Sequence, residues 1–121
     1  MPASTAGQAP TTTRTKLAKL AAGAAANTTG VVRLSAGKPP VHVTDVPGRR
    51  LEGVSVVAAE PGRYEVTVCL VARPVALLEL AEEIRERVRE GARIAGLGDA
   101  LGAIGVRVED VVTDPPAELV P

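Results

Sequence analysis

The chain has 121 residues and a formal net charge of zero, and this length suits one folded domain. The neutral charge gives no general attraction to nucleic acid or anionic lipid, and a single aromatic residue, Tyr64, argues against a base-stacking platform. The single cysteine, Cys69, excludes an internal disulfide and favours a reducing compartment such as the cytoplasm.

The N-terminal part of the chain predicts a tail followed by a helix. Residues 1–13 are mostly Ala, Thr, Pro and Gly without apolar periodicity, which predicts a disordered tail. A helix is predicted over 15–27, with Gly30 as its stop. The basic residues and the alanine run here are too short and too far inside the chain to favour a signal peptide. The apolar positions of the helix recur at helical spacing: Leu17, Leu20, Ala21 and Ala24.

Extended segments follow this helix. A first strand is predicted over 31–36, where β-branched residues precede a Gly-Lys-Pro-Pro break. Between Lys38 and Gly48 the chain is rich in proline, and the alternation of valines with polar residues predicts an edge strand or an extended loop at 41–46.

A hairpin is predicted around Pro61-Gly62. Two extended runs, 51–59 and 63–72, flank Glu60-Pro61-Gly62, and proline followed by glycine favours the two central positions of a type II turn. The second run alternates, with Glu65, Thr67 and Cys69 on one side. The other side is apolar and requires a helix to cover it: Val66, Val68, Leu70 and Ala72.

The longest periodic run predicts a helix over 75–95, introduced by Pro74. Its charged residues lie opposite the apolar stripe and form pairs such as Glu83 with Arg87, which is typical of a solvated face. An active site built from these carboxylates is the alternative interpretation, but arginines alternate with them. The other charge pairs are Glu82 with Arg85 and Glu90 with Arg93. The apolar stripe comprises Leu77, Leu80, Ala81, Ile84, Val88, Ala92 and Ala95.

The remaining segments complete a single domain. A flexible connection over 96–102 leads to a last strand over 104–112, and Pro115-Pro116 ends the domain, followed by a C-terminal tail at 114–121. The helix between the last two strands is long enough for a parallel crossover. We therefore expect one α+β domain over 14–113: a small mixed three- to five-stranded sheet with two helices packed on one face.

The chemistry-bearing residues predict no catalytic, cofactor or metal site. His42, the only histidine, is a candidate base or pH-sensitive group. The alternative is that His42 is an exposed loop residue without a chemical role. Cys69 is a candidate nucleophile, but its position among apolar strand residues favours a buried, inert thiol. One histidine and one cysteine cannot form a common zinc cluster.

The phosphate-binding motifs are also incomplete. Gly37-Lys38 lacks the rest of a phosphate loop, and Arg49-Arg50 is more typical of a solvated turn than of a phosphate site. The glycines of the dinucleotide-binding fingerprint must follow a strand. Gly96, Gly98 and Gly102 instead follow a predicted helix, so they do not form this motif.

Three stretches within residues 15–113 resemble one known family in their order and spacing. They are Thr29-Gly30-Val31, the helical segment ELAEEIRERV over 79–88, and the ending VRVEDV over 106–111. The chain resembles the alkaline shock protein family, envelope stress response proteins of Gram-positive bacteria. It departs from the family pattern at Arg73-Pro74, where a Tyr-Gly-like turn is usual, at 96–103, and in the proline-rich insertion over 38–48.

The resemblance implies a non-enzymatic, cytoplasmic protein of the cell-envelope stress response, without catalytic residues or cofactors. It also implies self-association as a homo-oligomer and a position near the membrane through a membrane-anchored partner of the same family. The alternative is a small regulatory module that binds a ligand or RNA through the uncovered sheet face. An enzyme that uses His42 and carboxylates is the third and weakest interpretation.

Contact with a membrane is expected to be indirect. No run of uncharged residues reaches the roughly 18–20 residues that a membrane-spanning helix needs. Self-association is expected through the sheet, because two helices cover one face while Cys69 and Val71 lie on the other. A free edge at 41–46 or at the last strand is a further site of pairing. The competing expectation is a monomer whose segment 38–48 folds over the second face.

Overall fold

The computed structural model of the chain describes residues 2–113, with side chains from residue 13 onward. In chain order the elements are α1 (Pro2–Ala26), β1 (Val31–Leu34), β2 (Val43–Val46), β3 (Arg49–Glu52), β4 (Val54–Glu60), β5 (Arg63–Ala72), α2 (Leu77–Ile94), a 3-10 helix (Gly98–Ala100) and β6 (Leu101–Val111). This arrangement confirms the α+β class with a small mixed sheet.

Strand β5 is the centre of the main sheet. β6 pairs with it in parallel, which confirms the predicted parallel crossover through α2. Along the other edge of β5, β4 pairs with the first part of the strand and β1 with the last part, both antiparallel. The main sheet therefore has four strands but is only three strands wide.

Along this edge of β5, the pairing partner changes from β4 to β1 at Cys69. The Cys69 backbone N–H donates to the Gly53 carbonyl at 2.8 Å, and the Cys69 carbonyl accepts from the Ser35 N–H at 2.9 Å. The chain thus leaves the sheet after Ser35 and returns at Gly53. Between these points β2 and β3 form an antiparallel hairpin of their own, joined through Pro47-Gly48.

The strand predicted over 51–59 is wrong as a single element, because Gly53 divides it into β3 and β4. Gly53 has φ +93°, and a Cβ atom there would lie 2.4 Å from the Cβ of Leu34. Only glycine combines this backbone conformation with such a close approach. The predicted hairpin turn is confirmed: Glu60 pairs with Arg63 around Pro61-Gly62, and Gly62 has φ +79°.

Both helices pack on the same face of the sheet. The predicted stripe of α2 is buried at Leu80, Ile84, Val88 and Ala92. Its two predicted end members, Leu77 and Ala95, are exposed, because α2 spans Leu77–Ile94 and not 75–95. The helices meet closely at Gly91, where a Cβ atom would lie 3.1 Å from Leu20 Cδ2. The core that they share is one cluster, whose largest fully buried members include Leu17, Ile84, Val88, Val54, Val66, Val68 and Leu70.

The charged face of α2 is solvated, as predicted. Arg87 Nε lies 3.1 Å from Glu83 Oε2, and both side chains are 48% exposed. Ion pairs this exposed contribute little to stability. The predicted pairs Glu82 with Arg85 and Glu90 with Arg93 also form.

Some predicted boundaries differ from the structure. The sequence predicts a tail over 1–13 and a helix from 15, whereas α1 begins at Pro2. The segment 2–13 contains Gly7, Pro10 and several threonines, so local helix propensity does not account for this earlier start. β6 begins at Leu101 and not at 104, because Gly102 allows the strand to approach the Tyr64 carbonyl. The predicted tail at 114–121 lies outside the described residues.

Candidate functional site

The second face of the sheet, opposite the helices, is partly covered by the chain itself. Cys69 and Val71 point to this face, yet each side chain is only 2% exposed. The loop between β1 and β2 lies across Cys69 and leaves a cavity of about 500 Å³. This arrangement agrees with the expectation that part of segment 38–48 folds over the second face.

The cavity, which we call the Cys69 cavity, brings together residues that the sequence only shows separately. Lys38 and His42 line it from the loop, Cys69 lies on β5, and Arg107 and Glu109 line it from β6. His42 and Cys69, the two residues considered for catalysis, therefore share one site. The sequence did not predict that Arg107 and Glu109 of β6 line this site. The signal that could have indicated it is the alternation of charged residues with Val106 and Val108, which gives β6 one polar face.

Electrostatics of the cavity disfavour a reactive thiol. Burial raises the pKa of Cys69, the carboxylate of Glu109 raises it further, and Arg107 has a smaller opposing effect. The thiolate is the nucleophilic form of cysteine. Cys69 therefore stays protonated and inert near neutral pH.

The loop over the cavity is tied to β6 by a short hydrogen-bond chain. The Ser35 hydroxyl donates to the Glu109 carboxylate, and the Gly37 backbone N–H donates to Ser35 Oγ at 3.2 Å. The Glu109 carboxylate thus has a structural partner. A general base needs its carboxylate directed at a substrate proton, so this bond fits a positioning role for Glu109.

The other residues considered from the sequence do not join the cavity. Arg50 pairs with Asp45 at 3.0 Å on the exposed side of the β2–β3 hairpin, and Arg49 lies at the same turn. Gly96 follows the end of α2, and Gly102 lies within β6. None of these residues lines the Cys69 cavity.

The described residues form neither a metal-binding cluster nor a membrane-spanning helix. Within residues 2–113, no group of three or more His, Cys, Asp or Glu residues is arranged to hold a metal ion. No helix in this described range is both long enough and apolar enough to cross a membrane.

The two edges of the main sheet differ in their protection. Beside β4, the Thr44 hydroxyl of β2 donates to the Val54 carbonyl at 2.7 Å, and the Arg14 guanidinium donates to the Val56 carbonyl at 2.6 and 3.1 Å. Helix α1 and the β2–β3 hairpin thus cover this edge. The candidate edge strand at 41–46 is itself paired, since β2 pairs with β3.

The opposite edge belongs to β6, and we call its outer side the β6 edge. In the described part of the chain, β6 pairs with β5 alone, so no strand lies on its outer side. β6 is also the longest strand, with 11 residues. Three backbone groups of this strand are bonded to side chains of the described residues. The Val111 N–H donates to Asp110 Oδ1 at 2.8 Å, and the carbonyls of Ile104 and Leu101 accept from Arg85 at 3.1 Å and from Arg63 at 3.4 Å.

Exposed apolar side chains gather at the end of the sheet where β5 ends. Val31 and Val111 both pair with Ala72, and the Val112 N–H donates to the Ala72 carbonyl at 2.9 Å. Leu78, in the first turn of α2, is 88% exposed. The exposed members at this end are Val32, Val75, Leu77, Leu78, Val111 and Val112.

Comparisons of the chain with protein-family models, with curated proteins and with solved structures find no match. The resemblance to the alkaline shock protein family therefore rests on the residues of the chain alone.

Proposed function

We propose that this protein is a non-enzymatic interaction module that acts by self-association through the β6 edge. The observation that carries the proposal is the asymmetry of the sheet. α1 and the β2–β3 hairpin cover the β4 side, whereas the described residues place no strand beside β6. A long unpaired edge presents backbone donors and acceptors that readily pair with a further strand.

The apolar end of the sheet supports the same proposal. Val111 and Val112, at the end of β6, are 41% and 36% exposed, so the β6 edge continues into an apolar surface. Contiguous exposed apolar patches on soluble proteins often mark sites of protein interaction. A second chain that pairs with β6 would remove part of this surface from water.

The Cys69 cavity supports the non-enzymatic part of the proposal. Its thiol has a raised pKa, and its carboxylate at Glu109 is bonded to Ser35. A nucleophile needs an accessible ionised form, and both the burial of Cys69 and its raised pKa oppose this form.

Sedimentation velocity over a concentration series tests self-association. We expect a species heavier than the monomer that grows with protein concentration. A single monomeric species up to high micromolar protein would contradict the proposal. Val71→Lys places a charge on the second sheet face, where Val71 is only 2% exposed, so circular dichroism first establishes that this variant is folded. Its oligomeric state should match the parent if the β6 edge, and not that face, makes the contact.

We further propose the narrower role that the family resemblance implies: a cytoplasmic envelope stress response protein, peripheral to the cell membrane through a membrane-anchored partner. The support is the likeness over residues 15–113. Affinity capture from separated membrane and soluble fractions tests it. Recovery of a membrane-anchored protein from the membrane fraction supports this role, and capture from the soluble fraction alone contradicts it.

A specific observation favours a second candidate function, a ligand-binding module. Lys38, His42 and Arg107 line the Cys69 cavity beside one carboxylate, Glu109, which is bonded to Ser35, and the basic groups favour a small anion. His42 is the only histidine, so its imidazole gives a single NMR signal. A saturable shift of this signal on titration with inorganic phosphate would support the ligand module. Salt-dependent RNA binding would instead favour an RNA partner.

A further inference from the structure

We propose that the Cys69 cavity binds the phosphoryl group of inorganic phosphate or of a small phosphate monoester. The Ser35 hydroxyl holds the Glu109 carboxylate away from Arg107, so that the Arg107 guanidinium stays open to this ligand. The inference rests on the ligand-binding candidate of the proposed function, and it specifies the ligand class and the role of each residue. Ser35 is a positioning residue, because it acts on the ligand through Glu109.

Basic side chains from two separate segments converge on the cavity. Lys38 and His42 lie on the loop between β1 and β2, and Arg107 lies on β6. In the part of the chain that the structure describes, neither Lys38 nor Arg107 forms an ion pair with a carboxylate. Both charges are therefore open to an anion that enters the cavity.

The donors and their charge favour a phosphoryl group over a carboxylate. A phosphate monoester carries a charge of about −1.5 to −2 near neutral pH and has three strong acceptor oxygens, whereas a carboxylate has one charge and two oxygens. A guanidinium also binds phosphate through two parallel hydrogen bonds. The cavity volume of about 500 Å³ lies within the roughly 300–1,000 Å³ of small-molecule sites, so the organic part of an ester also fits.

The loop that carries Lys38 and His42 is held by its own backbone. The His42 N–H donates to the Ala36 carbonyl at 3.0 Å, and the His42 carbonyl accepts from the Gly53 N–H at 2.7 Å. Gly37 has φ +87°, and a Cβ atom there would lie 3.1 Å from His42 Cδ2, so the imidazole lies against Gly37. His42 is thus positioned before any ligand binds, which reduces the entropy cost of binding.

Glu109 is, among the described residues, the one carboxylate that lines the cavity, and its position determines how strongly it opposes an anion. It also lines a neighbouring cavity with Ser35, and its carboxylate accepts the Ser35 hydroxyl. Ser35 Oγ accepts from the Gly37 N–H at 3.2 Å, which leaves the hydroxyl hydrogen for Glu109. A released Glu109 side chain is long enough to pair with Arg107 and would compete with the ligand.

The single imidazole signal of His42 reports ligand binding in NMR titrations with inorganic phosphate and with glycerol phosphate, at constant pH and ionic strength. We expect a saturable shift with at least one of these probes. Binding of inorganic phosphate alone identifies the free ion as the ligand, and binding of glycerol phosphate identifies a phosphate monoester. Acetate is the control for the ligand class. An equally tight, saturable shift with acetate would contradict a phosphoryl site.

Arg107→Gln tests the proposed contact with the ligand. We expect the dissociation constant of the phosphate probe to rise about tenfold or more, because charge-assisted hydrogen bonds to the ligand are lost. Arg33→Gln removes the same charge from the neighbouring cavity and is the matched control. Its exposed charge is screened by salt, so the dissociation constant should change by less than about twofold. Far-UV circular dichroism of each variant establishes that it is folded.

A double-mutant cycle tests the positioning role of Ser35. Glu109→Gln keeps an acceptor for Ser35 but removes the negative charge, so the dissociation constant should fall about twofold to fivefold. Ser35→Ala releases the carboxylate toward Arg107 and should raise the dissociation constant by a similar factor. The double variant S35A/E109Q has no competing charge and should bind as tightly as Glu109→Gln. If Ser35 only holds the loop, the double variant binds as weakly as Ser35→Ala.

The outcomes separate this inference from the proposed function. Weaker binding in Arg107→Gln, together with recovery in S35A/E109Q, supports the inference. Saturable binding to the parent that Arg107→Gln leaves unchanged, or that S35A/E109Q does not recover, overturns the inference and leaves the ligand-binding candidate standing. A parent that binds neither phosphate probe overturns that candidate and this inference with it, whereas self-association through the β6 edge is unaffected.

Discussion

Replacement of Gly53 with alanine should strongly destabilise the fold. Gly53 has φ +93°, a conformation that costs a residue with a Cβ about 1–2 kcal/mol. The added Cβ would lie 2.4 Å from the Cβ of Leu34 and 3.0 Å from the Cys69 carbonyl oxygen. Overpacking of this kind costs about 1–3 kcal/mol more. The expected loss is therefore about 2–5 kcal/mol, a large part of the roughly 5–15 kcal/mol of a typical domain.

Gly48→Ala is the matched control for this prediction. Gly48 has φ +86°, but a Cβ atom there would meet nothing within 4 Å. Its substitution should cost only the backbone term, about 1–2 kcal/mol. Urea denaturation followed by circular dichroism measures both values, and equal slopes of the unfolding free energy against urea make them comparable. Equal losses in the two variants would refute the close packing of Gly53 against Leu34.

The remaining predictions concern the core and the thiol. Ile84→Asp should lower the free energy of unfolding by several kcal/mol, because Ile84 is fully buried and the carboxylate would have no partner. The control, Glu86→Ala on the exposed face of α2, should change it by at most about 0.5 kcal/mol. A thermal melt of Ile84→Asp that matches the parent would contradict the orientation of α2. The pKa of Cys69 is raised in the folded state, so the folded state holds the thiol proton more tightly than the unfolded state. The protonated thiol therefore contributes its full stability below the ordinary pKa of 9.0. This contribution is lost as the pH rises through the folded-state pKa. Unfolding free energies measured between about pH 8 and about pH 10.5 should fall more steeply for the parent than for Cys69→Ala, and parallel pH profiles would argue against burial of the thiol.

Local sequence patterns predicted the elements whose formation depends on neighbours along the chain. The apolar stripe of α2 has helical period, and its members Leu80, Ile84 and Val88 are buried as expected. Pro61-Gly62 fixed the turn between β4 and β5, because proline sets one backbone angle and glycine supplies the positive φ at the next position. Strand 63–72 and the parallel crossover through α2 followed from the same local signals.

The candidate site depended on contacts between distant segments. His42 and Cys69 are both visible in the sequence, but only the path of the chain from Ser35 to Gly53 brings the loop across the sheet. The role of Glu109 as partner of Ser35 was also invisible, since a charged residue in an alternating strand indicates only a solvated side.

The sequence by itself determined the α+β class, the inward face of α2 and the central hairpin, because periodicity and turn chemistry act over a few residues. The tertiary structure alone decided that Gly53 divides a predicted strand, that the loop before β2 covers Cys69, and that the β2–β3 hairpin covers one sheet edge and not the other. Each of these depends on which strands pair, and strand pairing is set by packing between residues far apart in the chain and not by local propensity.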